Sequence, residues 1–205
     1  MSGAGAEAVP HGAAGPVLLR AVALAIGPAR PLAWVRAVAL SRAGAGAVSG
    51  GVDGLVRGWD LAHGTPGPVL AGHTGAVNGV AVSGDGRWAV SGGADGTVRV
   101  WDLRRGTPGP VRTRHRGAVY AVALSADGGR VVSGGGDGTV RVWDLAHAAR
   151  GGGRSGRGRL GPVLHEHRGA VLGVAVSSDG RWAVSGGRTA RCACGTWARG
   201  GRARS

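Results

Sequence analysis

The sequence predicts an all-β chain built as an array of small antiparallel sheets, and two observations predict it. First, SGGGDGTVRVWDL at residues 133–145 occurs almost unchanged as SGGADGTVRVWDL at 91–103 and more loosely as SGGVDGLVRGWDL at 49–61, each copy 42 positions after the last. Second, each copy consists of short Val- and Trp-rich runs cut by clusters of Gly and Asp, the composition of strands joined by tight turns. A period of this length marks a stacked or circular array of supersecondary units.

The second copy shows the unit best. In AVNGVAVS, residues 76–83, Val80 and Val82 alternate with small residues as in a half-buried strand. Residues 83–86, SGDG, turn the chain into a second strand at 87–91, and residues 92–96, GGADG, turn it into a third, TVRVWD, at 97–102. A fourth strand is expected at residues 110–112, after a turn at 106–109, because Pro and a short length suit a sheet edge.

A unit of this length ending in Trp-Asp resembles the tryptophan-aspartate (WD) repeat family of β-propellers. The resemblance implies a partial β-propeller of about three to four four-stranded antiparallel blades with irregular ends. It also implies a buried hydrogen-bond chain in each blade, which the family's motif places at His73, Ser91, Asp95 and Trp101 and again at His115, Ser133, Asp137 and Trp143. Partial sets stand at Ser49, Asp53 and Trp59, and at His167 and Ser185. The residue types agree, since an indole N–H, a hydroxyl, a neutral imidazole and a carboxylate can donate and accept in series. A Ser-His-Asp catalytic triad uses three of the same types, but tandem repetition of the set argues for a structural role.

Residues 1–26 carry no repeat signature and are expected to be an irregular lead-in, with blades over residues 27–187. In the first unit WVRAVALS, residues 34–41, precedes AVNGVAVS by 42 positions, but Pro31 stands where His73 stands in the next unit. Residues 42–46 lack the Asp-Gly turn, and Gly58 replaces Val100 and Val142, so a loose first blade is expected. Residues 148–159 form an insertion made almost wholly of Gly and Arg, which reads as a solvated loop.

The fourth unit begins normally, with His167, AVLGVAVS at residues 170–177 and RWAVSGG at 181–187, and then fails: RTARCACGTWARGGRARS replaces ADGTVRVWDL. Residues 188–205 are therefore expected to be an irregular Arg/Gly-rich tail. The failure reads as a shift of frame. Residues 188–197 can be encoded CGG ACG GCA CGG TGC GCG TGT GGG ACC TGG, and the same bases without the first two spell DGTVRVWDL. A weaker case exists at residues 30–32, where the adjacent frame restores Gly-His-Ser. Cys192 and Cys194, two residues apart with no second pair, make an incomplete metal or redox site, and no metal or cofactor is expected.

The chain has 205 residues, 44 of them Gly, with no Lys or Phe and a net charge of +14 carried by Arg. Residues with AT-rich codons are scarce throughout, so base composition of the gene accounts for much of that charge and it argues only weakly for nucleic-acid binding. No apolar run approaches the roughly 20 residues needed to cross a membrane. The first fifteen residues hold Glu7 and His11 but no Arg or Lys, unlike a secretory signal, and a cytoplasmic location without membrane association is expected.

The resemblance implies a non-enzymatic scaffold that binds other proteins through its loops and rim. Propellers of this kind usually close with about seven blades, so the array is expected to be a fragment of a larger propeller, a self-associating piece or a partly folded product. A second reading, of another class, is nucleic-acid binding through Arg57, Arg99, Arg141 and the loop at 150–159, although that loop has no aromatic residue to stack on a base. A third is a truncated product with no selected function.

Overall fold

The computed structural model describes residues 34–42, 44–145, 159–165, 167–188 and 192–196. The expected lead-in at 1–26, the insertion at 148–158 and Trp197 lie outside the described residues.

The described residues fold into strands, arranged as four successive antiparallel meanders. The first sheet holds β1 (Val35–Leu40), β2 (Gly46–Gly51), β3 (Val56–Asp60) and β4 (Thr65–Leu70). The second holds β5 (Val77–Val82), β6 (Trp88–Gly93), β7 (Thr97–Asp102) and β8 (Thr107–Arg114). The third holds β9 (Val119–Leu124), β10 (Arg130–Gly135), β11 (Val140–Asp144) and β12 (Arg159–Leu164), and the fourth only β13 (Val171–Val176), β14 (Trp182–Gly187) and β15 (Cys192–Thr196). No helix of the described residues is long and apolar enough to cross a membrane.

Consecutive sheets pack face to face, and their first strands adjoin, β1 with β5, β5 with β9 and β9 with β13. The fold is therefore an open arc of blades with first strands inside and fourth strands outside. Second strands β2, β6 and β10 are buried along nearly their whole length, which is why they read as runs of Val, Ala, Ser and Gly instead of alternating polar and apolar residues. Between blades the core consists of valines plus one aromatic. Trp101 joins Val48, Val56, Leu70 and Val77 between the first two blades, and Trp143 joins Val90, Val98, Val119 and Val131 between the next two. The third joint, built on Val132, Val140, Val142, Val171 and Ala183, has no tryptophan among the described residues.

Two expectations are revised. The outer strand of the second blade begins at Thr107, because the Asp102 carboxylate accepts the Arg104 and Arg105 backbone N–H groups, both at 3.1 Å, and so closes the turn over residues 103–106. The first blade, expected to be loose, packs Val48, Val56 and Leu70 into the core but leaves Val35, Val38 and Leu40 of β1 exposed. Its first turn forms without Asp, with Gly46 N–H donating to Ser41 Oγ at 3.1 Å and Gly44 at φ 67°. A side chain on Gly58 would sit 3.1 Å from the Pro68 ring. Finally, the segment expected to be an irregular tail contains β15, which pairs with β14 in the repeat's own register: Gly195 lies opposite Ala183 as Trp101 lies opposite Ala89 and Trp143 opposite Val131.

Candidate functional site

In the second blade the loop before β5 carries His73, β6 carries Ser91, the β6–β7 turn carries Asp95, and β7 carries Trp101. Trp101 Nε1–H donates to Ser91 Oγ at 2.8 Å, the Ser91 hydroxyl meets His73 Nε2 at 2.7 Å, and His73 Nδ1 meets the Asp95 oxygens at 3.0 and 3.1 Å. Burial pushes the His73 imidazole below its ordinary pKa against the pull of Asp95, so the ring is neutral at pH 7. Burial works the other way on Asp95. Hydrogen bonds from Thr97 N–H and hydroxyl, Thr74 N–H and His73 outweigh it and hold the carboxyl at about 2. These protonation states fix the direction of the chain: indole to hydroxyl, hydroxyl to imidazole, imidazole to carboxylate.

Thr97 is a fifth member that pattern reading missed. Its hydroxyl donates to Asp95 at 2.7 Å and lies 3.1 Å from His73 Nδ1. Thr139 does the same for Asp137 and His115. The signal was present, because Thr follows Asp-Gly in both complete copies. The turn glycine also has a fixed task. Gly96 adopts φ 75°, and a side chain there would come within 2.9 Å of the His115 carbonyl, so the turn of one blade seats the histidine of the next.

The other sets are incomplete in different ways. In the third blade His115 bonds Ser133 at 2.9 Å and Asp137 at 3.0 Å, but the buried Trp143 Nε1 has no partner among the described residues. In the fourth, His167 Nε2 bonds Ser185 at 2.9 Å while its buried Nδ1 has no partner among the described residues. The first blade joins Trp59 to Ser49 at 3.0 Å, and Asp53 turns to Arg57 at 2.6 Å.

The Ser-His-Asp geometry resembles a nucleophilic triad, yet Ser91 and Ser133 are fully buried and Ser91 Oγ already accepts an indole N–H. No substrate carbonyl can approach such a hydroxyl. Among the described residues no group of three or more His, Cys, Asp or Glu could hold a metal ion.

A second arrangement lies at the surface. The first strands are nearly copies of one another, VRAVAL, VNGVAV, VYAVAL and VLGVAV, and their second residue is Arg36, Asn78, Tyr120 and Leu172 in turn. Arg36 donates to Asn78 Oδ1 at 2.8 Å, and Asn78 Nδ2 donates to the Val119 carbonyl at 3.0 Å, so the row runs from blade to blade. Arg36, Tyr120 and Leu172 are exposed. A cation, an amide, a phenol and an aliphatic side chain thus occupy equivalent places on a repeated frame.

Residues 30–60, 64–102, 108–144 and 158–192 match the family model described as WD domain, G-beta repeat. Comparison with curated proteins finds no match.

Proposed function

The chain belongs to the WD-repeat family, and on that premise we propose that it is a non-enzymatic protein-interaction scaffold of the cytoplasm whose blades hold a recognition row against a partner protein. WD repeats make domains of the scaffold kind. The observation that carries the finer reading is the row Arg36, Asn78, Tyr120 and Leu172. Most polar groups inside the blades are engaged in structural hydrogen bonds, whereas this row differs between near-identical repeats and its Arg36, Tyr120 and Leu172 are exposed. Residues that differ on a common frame give a surface its specificity, and Tyr and Arg are among the side chains enriched at binding hot spots.

Nucleic-acid binding has weaker support. Arg57 pairs with Asp53 at 2.6 Å and is 22% exposed, and Arg141 stands 3.6 Å from Asp137 at 16% exposure. Arg99 has its Nε buried. Arg57 and Arg141 are thus held in ion pairs at turns and Arg99 is partly buried, so all three are poorly placed to meet phosphates. The loop at 150–158 lies outside the described residues. The uncovered faces at both ends of the arc favour reading it as part of a larger ring.

The test compares proteins retained by the tagged wild type with those retained by a Tyr120→Ser/Leu172→Ser variant. A partner lost from the variant at unchanged melting midpoint, and retained by the wild type through 50 to 200 mM salt as estimated for a neutral interface (roughly this range separates the two classes), supports the scaffold reading. Retention of nucleic acid that collapses over the same salt range would replace it.

A further inference from the structure

The arc ends on two unmatched halves of one joint, and we propose that a second copy of this chain supplies the match, head to tail, so that two four-blade arcs close into a single eight-blade ring. The joint is defined by its three internal occurrences. In each, a glycine of the second strand faces two valines from the first strand of the next blade. A Cβ on Gly50 would lie 2.5 Å from Val77 and 3.1 Å from Val80. One on Gly92 would lie 2.5 Å from Val119 and 3.0 Å from Val122, and one on Gly134 would lie 2.5 Å from Val171 and 3.1 Å from Val174. The glycine is a socket, and the valine pair is the knob that fills it.

At the trailing end no described residue fills the socket. Gly186 holds the position of Gly50, Gly92 and Gly134, yet among the described residues nothing lies within 4 Å of where its Cβ would be. The wall beside it is uncovered too: Val184 is 44% exposed, whereas its counterparts Val48, Val90 and Val132 are all at 0%. At the leading end the knob is unused. Val35 and Val38 stand where Val77 and Val80 stand, but they are 39% and 49% exposed against 0% and 8%.

One chain therefore carries both halves of a joint it makes three times within itself, and the two halves are separate surfaces. Such a heterologous contact either closes into a ring or runs on as a filament. Four blades from each of two copies make eight, which lies within the about four to eight at which blade rings close. A pair of copies is thus the smallest assembly that covers both apolar faces.

The experiment is sedimentation of the full chain across a range of concentrations, with Val35→Asp and Gly186→Val variants. Gly186→Val blocks the socket without burdening the monomer, because the space around Gly186 is open, and its circular dichroism should match the wild type. The wild type should show the mass of two 20.2 kDa chains, and each variant alone the mass of one. An equimolar mixture of the two variants should regain the two-chain mass, since the intact Val35 of one meets the intact Gly186 of the other. A wild type that stays single, variants that remain paired, a mixture that stays apart, or masses that run past two copies would overturn the proposal.

Discussion

His167 meets Ser185 at 2.9 Å through Nε2, and its buried Nδ1 meets no partner among the described residues. In the second blade the equivalent nitrogen of His73 reaches Asp95, so the two histidines hold the same place with unequal attachment. Replacing His73 by Ala should cost on the order of 3 kcal/mol, since it strips a partner from both Ser91 and Asp95 inside the fold. Replacing His167 by Ala should cost on the order of 1 kcal/mol, because it also removes an unsatisfied nitrogen. Urea melts of the two variants give the comparison, and equal costs would show that Asp95 contributes little.

The two buried tryptophans differ in the same manner. Trp101 donates to Ser91, but Trp143 does not reach Ser133. Changing each to Phe removes the indole N–H along with part of the ring, and the packing loss is shared. The Trp101 variant should therefore be the less stable of the two by about 1 kcal/mol, the usual net worth of one hydrogen bond. A larger loss at Trp143 would reveal a bond formed by its N–H in solution.

Acid should weaken the fold in two stages. His73 and His115 have pKa values pushed below the ordinary 6.5 by burial, against the opposing pull of Asp95 and Asp137. Below that pH the unfolded chain binds protons that the folded chain does not. Stability is thus complete above about pH 6.5 and falls as pH drops through the lowered folded values. A second loss follows from the ordinary 3.8 down through about 2, as Asp95 becomes protonated. Melting midpoints measured from pH 8 to pH 2 should show both descents, and a midpoint flat between pH 7 and 5 would contradict the neutral histidines.

How much of this was legible in the residues varies with the kind of constraint. The 42-residue period showed the repeat, and the resemblance to the WD-repeat family then pointed to His73, Ser91, Asp95 and Trp101, because a hydrogen-bond chain needs fixed residue types at fixed places. The first turn of the first blade was not legible, because residues 42–46 lack Asp-Gly and only the structure shows the Ser41 hydroxyl accepting the Gly46 N–H with Gly44 at φ 67°. The missing bond of Trp143 was hidden as well, since its sequence context is almost that of Trp101 and the difference is a matter of packing geometry. The outer strand was misplaced for a local reason, the capture of two backbone N–H groups by Asp102, which competes with the turn-forming preference of Gly-Thr-Pro-Gly.

The last prediction concerns the third strand of the fourth blade. β15 lies in the repeat's register although its residues are not the repeat's, and Gly195 stands opposite Ala183 where a tryptophan stands in the two preceding blades. Among the described residues, the joint it borders is also the one whose buried cluster holds no aromatic. Replacing residues 188–197 by ADGTVRVWDL would put Asp at position 189 and Trp at position 195. The Asp supplies an acceptor of the type that Nδ1 of His73 and His115 already use, and the Trp adds the aromatic that the third joint lacks. The exchange should raise stability by about 2 kcal/mol, or roughly 4 to 8 °C in melting midpoint for a chain of this size. The nucleotide sequence gives an independent check, because codons for residues 188–197 should spell the same peptide in a neighbouring frame. A midpoint that is unchanged or lowered, together with codons that spell it in no frame, would mean that β15 closes the blade in its own way and that His167 is satisfied by something other than the missing carboxylate.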